Sequence, residues 1–416
     1  MQNCLAVAHR CRARSVSKPI HRALTKVSSY GRILTPHPPL EAIPIHSRST
    51  PAYRPAGQII NPSAFSARRF ATRATAPAPE TPASAESDPS QPTCTAISPT
   101  LEQPNVYSFF ERGTSTWQYV IADPNTLKAV IVDPVLDYDP ASGAISTTTA
   151  DGLLAFVKSN NLDIVMLLET HAHADHITAA QYLSKKLGGI PVAIGKRIVT
   201  VQERIAKIYG VPREWWDGAF HKYWEDGERF KIGEIECSVI HLPGHTPDHV
   251  GYMCGENLFV GDTIFYPDVG SARADFPGGS PTDLYNSIQR VLAMSPNTRV
   301  YAGHDYPPPT AVSTNEADRC YSLVSEQCEK NVHLKARLQE ITASTSLQTQ
   351  AGPSDDLAEK LMTAFIEWRA KRDRALGAPR LIHPALQINI CAGKLPRADS
   401  EGRRLLKIPL RIPEGL

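Results

Sequence analysis

Apolar positions along the chain recur in two periods. Trp117-Gln118-Tyr119-Val120-Ile121 and Ala129-Val130-Ile131-Val132 are short runs rich in β-branched and aromatic residues, and Asp123-Pro124-Asn125 lies between them. Such runs separated by turn residues predict an antiparallel hairpin. Residues 150–160 place Leu153, Leu154, Phe156 and Val157 at helical spacing, and Ile164-Val165-Met166-Leu167-Leu168 then predicts a buried strand. A helix through Ile177, Ala180, Tyr182, Leu183 and Leu187 comes next, then a strand around Val192-Ala193-Ile194 and a helix up to Ile208. Residues 228–241 and 250–261 predict four short strands, with Gly233-Glu234 and Gly255-Glu256-Asn257 as turns, before a helix at 282–294 and a strand at 298–302. From about 310 the pattern predicts helices at 314–343 and 357–376, polar residues 344–356 between them, and a strand-like tail, Leu386-Gln387-Ile388-Asn389-Ile390. Strands interleaved with single helices predict sheet layers covered by helices, an α/β (α+β) fold.

The first hundred residues differ in kind. Before Glu80 the only acidic residue is Glu41, against twelve Lys and Arg, and Ser, Thr, Ala and Pro are abundant. A leader of this composition resembles a mitochondrial transit peptide, with Arg68-Arg69-Phe70-Ala71 as a candidate processing site. Pro77, Pro79, Pro82, Pro89, Pro92 and Pro99 punctuate a disordered-looking linker, so residues 1–103 are expected to be leader and linker, with order beginning near Val106. A catalytic domain over 104–310 and a C-terminal extension over 311–416 complete the expected organisation. The formal net charge of +2 offers no global attraction for nucleic acid or an anionic membrane. No apolar run approaches the roughly 18–20 residues of a membrane span. The eight cysteines contain no Cys-x-x-Cys pair. They read neither as a disulfide framework nor as a zinc knuckle, and fit a reducing compartment.

Candidate chemistry concentrates after the predicted strands. His171, His173, Asp175 and His176 fall within six positions directly behind the run 164–168. Imidazole and carboxylate are ligands for Zn, Fe and Mn, and a strand end holds them rigidly. His245 in Leu242-Pro243-Gly244-His245-Thr246-Pro247, Asp262 after Leu258-Phe259-Val260-Gly261, and His304 after Val300-Tyr301-Ala302-Gly303 each appear just past a strand. Each is preceded by a glycine, which permits a tight turn and close backbone approach.

The order His-x-His-x-Asp-His, Gly-His-Thr, Gly-Asp, Gly-His resembles the metallo-β-lactamase superfamily. That resemblance implies an αββα sandwich with a metal site at one edge of two sheets. It implies one metal site from His171, His173 and His245, and a second from Asp175, His176 and His304, with Asp262 able to bridge. Two branches fit. A glyoxalase II-type hydrolase would hold two zinc or iron ions and cleave S-lactoylglutathione or another thioester with metal-activated water. A persulfide dioxygenase would hold one Fe(II) on His171, His245 and Asp262, a two-His-one-carboxylate triad with open positions.

Ser271-Ala272-Arg273-Ala274-Asp275-Phe276 and His304-Asp305-Tyr306 resemble the dioxygenase branch. So do Leu167-Leu168-Glu169-Thr170-His171 and the segments Pro379-Arg380-Leu381 and Gly393-Lys394-Leu395-Pro396. This is the branch related to the mitochondrial ethylmalonic-encephalopathy protein. The resemblance spans about 104–410 and departs at Ala274, where bacterial members often carry Cys. It implies oxidation of glutathione persulfide to sulfite with O2 in sulfide detoxification, and a matrix location. Arg273 pairs there either with a substrate carboxylate or with Asp275, and Tyr306 donates a hydrogen bond or packs at the edge. His173, Asp175, His176 and His304 then support the ligands or form a second site. A fused rhodanese domain of some relatives has no counterpart in this sequence, which points to a separate sulfurtransferase partner. The extension is a candidate homodimer element or lid.

Overall fold

A computed structural model of the chain describes residues 88–306, 320–335 and 355–413. The expected leader therefore falls almost wholly outside the described residues. Two sheets make the centre. The first contains β1 (Cys94–Ala96), β2 (Asn105–Glu111), β3 (Thr116–Ala122), β4 (Lys128–Val132), β7 (Asp163–Leu168), β9 (Val192–Gly195) and β10 (Lys222–Trp224), in that spatial order. The second contains β11 (Arg229–Ile232), β12 (Ile235–His241), β13 (Val250–Cys254), β14 (Asn257–Gly261), β15 (Arg299–Ala302) and β16 (Ser322–Leu323), again in chain order. A small sheet joins β5 (Val135–Tyr138) to β6 (Ile145–Ser146) and β8 (Ile177–Thr178).

Side-chain alternation along each strand explains the layering. Trp117, Tyr119 and Ile121 of β3 and Val130 and Val132 of β4 face Val239, Tyr252, Phe259 and Tyr301 of the second sheet. The intervening Val120, Ala122, Ala129 and Ile131 face the opposite way, into a cluster with Leu153 and Phe156 of α1 (Thr148–Ser159), Leu183 of α2 (Ala180–Lys186) and Ile205 of α3 (Ile198–Tyr209). Leu258, Val260 and Val300 pack outward against Leu284 and Ile288 of α5 (Pro281–Leu292). Between α3 and α5 lies only the single turn α4 (Arg213–Trp216). The arrangement is the expected αββα sandwich. Phe259 and Tyr301 stack at 4.7 Å between the sheets, and Tyr119 meets them edge-on at 5.1 and 5.5 Å. Each such buried ring contributes about 1.5–3 kcal/mol by leaving water.

The continuous apolar run at 164–168 has a geometric cause. The β4–β7 register shifts so that Ala129 pairs with Ile164 and Val130 with Met166, leaving Val165 as a bulge. Ile164 and Leu167 consequently face the helices while Met166 and Leu168 face the other sheet.

The C-terminal extension folds back on the sandwich through β16, α6 (Val324–Lys330), α7 (Asp355–Arg374) and α8 (Ile382–Asn389). Several expectations need correction. Order begins before Val106, because β1 pairs with β2 from Cys94 onward. Cys94 forms a disulfide with Cys320, 226 residues away, a separation at which spacing carries no signal. Ile177 and Thr178 pair as β8 before the helix starts, and Ser322 and Leu323 pair with β15 inside the stretch predicted as helix. The same stretch is helical over Val324–Lys330 and again at 332–335, as expected, and its parts at 314–319 and 336–343 lie outside the described residues. The strand-like tail 386–390 is helical. Its alternation arises because Gln387 and Asn389 are buried polar residues with specific partners, while Leu386, Ile388 and Ile390 join the core. Among the described residues no helix is long and apolar enough to cross a membrane.

Candidate metal centre

The ligand-type residues follow β7, β12, β14 and β15, and lie along one seam between the two sheets. Backbone bonds stitch that seam: Val250 N–H donates to Thr170 O at 2.9 Å, and Trp117 N–H to Gly303 O at 2.8 Å. The glycine ahead of His304 is needed for space, since a Cβ on Gly303 would lie 2.4 Å from Asp262 Oδ1. Gly261 adopts φ +48°, and a Cβ there would meet Thr170 Oγ1 at 2.5 Å. Close approach at these turns is what brings the two sheets' residues together.

Every histidine of the set spends one ring nitrogen on a fixed partner. His171 Nδ1 lies 2.9 Å from Thr170 Oγ1, whose hydroxyl donates in turn to Asp133 Oδ2 at 2.8 Å. His245 Nδ1 donates to Arg273 O at 2.8 Å, and His304 Nδ1 to Ser115 O at 2.9 Å. His173 Nε2 lies 3.0 Å from Asp133 Oδ1 and 3.2 Å from Glu169 Oε2. His176 Nδ1 lies 2.8 Å from Asp175 Oδ2. Anchoring one nitrogen sets the tautomer and aims the other, as at metal-bound imidazoles.

The aimed atoms are the test of fit. Among the described residues, His171 Nε2, His173 Nδ1, His176 Nε2 and Asp262 Oδ1 are buried with no hydrogen-bond partner. A buried polar atom left unpaired costs about 1–3 kcal/mol, so four together fit a site completed by a metal. His171, His245 and Asp262 form one group whose ligand atoms all lie within 4.8 Å of one another. Asp175, Asp262 and His304 form a second such group; His173 instead groups with Asp133 and Glu169, or with Asp175 and His176. Burial holds the His171 imidazole well below its ordinary pKa, with His173, His249 and His245 adding to the effect, so it is neutral and ready to donate its lone pair. Burial acts the same way on His304, yet Asp262 and Asp175 outweigh it and raise that ring to about 9. A metal at this position competes with that proton.

Four further residues support the centre without being evident from the ligand pattern. Asp133, directly after β4 and at φ +49°, accepts Thr170 N–H at 2.7 Å as well as the bonds above. Asp248 Oδ2 accepts Ala172 N–H at 2.9 Å. His249 Nε2 accepts Asp262 N–H at 2.9 Å, and its ring stacks on His171 at 4.7 Å. Asn389 of α8 donates to His173 O at 2.9 Å and His176 O at 2.8 Å, and accepts Thr178 N–H at 3.0 Å. Asp133 repeats the signal of a polar residue past a buried strand, and Asp248-His249 follows the Gly-His-Thr-Pro turn directly. Asn389 carries no such signal.

A cavity of about 690 Å³ opens beside the cluster and is lined by Asp175, His245, Asp262, Arg273 and Tyr306 among others. Arg273 is fully engaged: its guanidinium grips Asp275 at 2.5 and 2.7 Å and donates to Gly377 O at 2.8 Å. That geometry matches the loop-orienting alternative. The Tyr306 ring stacks on His304 at 5.2 Å and meets Phe265 edge-on at 5.9 Å.

Fold, ligand order and sandwich seam together define a metallo-hydrolase/oxidoreductase scaffold. Residues 112–304 match the metallo-β-lactamase superfamily model, and the chain belongs to that superfamily. It is 41% identical over 320 residues to a β-lactamase hydrolase-like protein of Xylella fastidiosa, spanning 76% of this chain and 67% of the relative. It is 38% identical over 305 residues to glyoxylase B2 of Dictyostelium discoideum, spanning 73% of this chain and 95% of the relative. Mitochondrial persulfide dioxygenase ETHE1 of Bos taurus is 29% identical over 233 residues, 55% of this chain and 79% of that protein. The crystal structure of ETHE1 from Myxococcus xanthus superposes with a TM-score of 0.51 at 25% identity, over 70% of this chain and 99% of that one.

Proposed function

We propose that the chain is an iron-dependent persulfide dioxygenase that converts glutathione persulfide, O2 and water to glutathione and sulfite. The observation that carries this reading is the grouping of His171 and His245 with Asp262, while His173 is engaged by Asp133 and Glu169. Two imidazoles and one carboxylate form the triad of non-haem Fe(II) oxygenases. His171, His245 and Asp262 would hold Fe(II), which would supply redox chemistry toward a thiolate-type sulfur and O2. The chain's own contribution is placement. Thr170, Arg273 O and His249 hold His171, His245 and Asp262 in orientation, and Phe265 and Tyr306 flank the cavity side. The persulfide group loses the electrons that O2 gains, water supplies the remaining sulfite oxygen, the S–S bond breaks, and the departing glutathione thiolate takes up one of the protons that the water and the persulfide release.

Protein purified without oxygen is expected to hold about one iron per chain and to consume O2 with glutathione persulfide. His245→Ala is expected to lose both. Two zinc ions per chain with no O2 uptake would sink the reading.

A second reading has its own observation. Asp175, Asp262 and His304 are grouped next to the first triad, with His176 alongside, as a binuclear thioester hydrolase requires. Loss of S-lactoylglutathione without O2 uptake, on the same preparation, selects it. Under either reading we propose a matrix location from the basic, acid-poor composition of the leader, and import of a reporter fused to residues 1–103 tests that.

A further inference from the structure

Two of the guanidiniums on the cavity wall have no carboxylate partner among the described residues. Of the arginines on its wall, Arg273 is occupied by Asp275, and the buried Arg369 by Asp373 through its Nε at 2.8 Å. Asp373 Oδ2 also accepts Ala274 N–H at 2.9 Å, so this pair is committed to holding the 271–275 loop. Arg372 and Arg380 line the same cavity from the extension, are exposed, and form no ion pair among the described residues. Arg372 lies over the Trp368 ring at 6.0 Å, and Arg380 makes one 3.3 Å bond to Gly113 O. Both contacts leave most of each planar donor fork open. Of the wall's other carboxylates, Asp175 and Asp262 belong to the metal cluster, and Asp268 has contacts of its own and forms no ion pair with Arg372 or Arg380 among the described residues.

We infer that Arg372 and Arg380 are the anion-recognition groups of the cavity, which select a low-molecular-weight sulfur compound bearing carboxylates over an uncharged one. This rests on the proposed function only in taking a glutathione-bearing substrate, which both readings there share. A guanidinium fork matches a carboxylate in two parallel hydrogen bonds. A tripeptide with a carboxylate at each end and sulfur at its middle offers such groups while its sulfur faces the metal cluster. The C-terminal extension thereby supplies substrate selection to a centre whose ligands all come from the sandwich.

The test is equilibrium binding of S-methylglutathione, which is neither oxidised nor hydrolysed, against its dimethyl ester, on metal-loaded full-length protein. Wild type is expected to favour the diacid by about tenfold or more. Arg372→Ala and Arg380→Ala are each expected to weaken diacid binding by about fivefold, and the double variant to bind diacid and diester alike. Lysine at either position restores part of the preference, and added salt reduces it in wild type. Equal binding of the two compounds by wild type, no binding of either, or a preference that survives the double substitution overturns the inference. Tighter binding of coenzyme A than of S-methylglutathione overturns the carboxylate assignment in favour of phosphate. O2 uptake, measured separately, decides the dioxygenase reading, so the two failures are distinguishable.

Discussion

At the scale of single residues, the centre depends on how little space its turns leave. Gly303 carries no chemistry, yet it sits between Gly261 and His304 with Asp262 Oδ1 only 2.4 Å from where its Cβ would be. Gly303→Ala must displace either the Asp262 carboxylate or the backbone of the seam. The expected outcome is a protein that still folds but binds metal about tenfold to a hundredfold more weakly, the range seen when ligand positioning is disturbed. Metal titration of the apo-protein by calorimetry checks this; unchanged affinity would show that Asp262 is held by something other than this contact. His249 acts in the same way through a different bond, accepting the Asp262 N–H and stacking on His171. The ligands were legible in the sequence because each follows a strand, with His171, His173, Asp175 and His176 crowded into one loop and His245, Asp262 and His304 each behind a glycine. His249 was not, because a histidine that touches only other ligands has no spacing rule of its own.

At the scale of elements, α8 shows why a local pattern can mislead. Leu386-Gln387-Ile388-Asn389-Ile390 alternates as a half-buried strand does, yet both faces are buried, and the polar members serve particular partners. Gln387 exchanges bonds with Lys407, and Asn389 closes both flanks of the histidine loop. Asn389→Ala leaves Thr178 N–H and two loop carbonyls unpaired in a buried place, so a loss of about 3 kcal/mol in unfolding free energy is expected. Asn389→Asp keeps the acceptor for Thr178 and loses the two donors, so its melting point is expected to fall as well. Denaturant unfolding of the two variants, with metal content measured alongside, separates a loop clamp from mere core filling. Strands β3, β4, β7 and β12–β15 were legible because their alternation answers to two apolar layers. The ends were less so: β1, β8 and β16 are two or three residues long, and only tertiary pairing makes them strands.

At the scale of the whole molecule, the metal cluster lies between two sheets, so whatever holds the sheets together also holds the cluster. Outside the core, one covalent tie among the described residues does this. Cys94 opens β1, the outer strand of the first sheet, and Cys320 precedes β16, the outer strand of the second. Because 226 residues separate them, the bond constrains the unfolded chain over most of the catalytic domain. Cross-links that close long loops stabilise by about 2–4 kcal/mol, largely through the unfolded state. Cys320→Ser is therefore expected to lower the melting temperature by several degrees. Adding a reductant is expected to lower wild type to the same value and to leave the variant unmoved. Metal bound to the folded state adds about 2.7 kcal/mol at a hundredfold excess over its dissociation constant, so chelation lowers the melting point of both proteins by a similar further step. If the two losses are additive, the clasp and the metal stabilise the sandwich independently. If chelation costs the reduced protein markedly more, the clasp holds the sheets in the register that the ligands need.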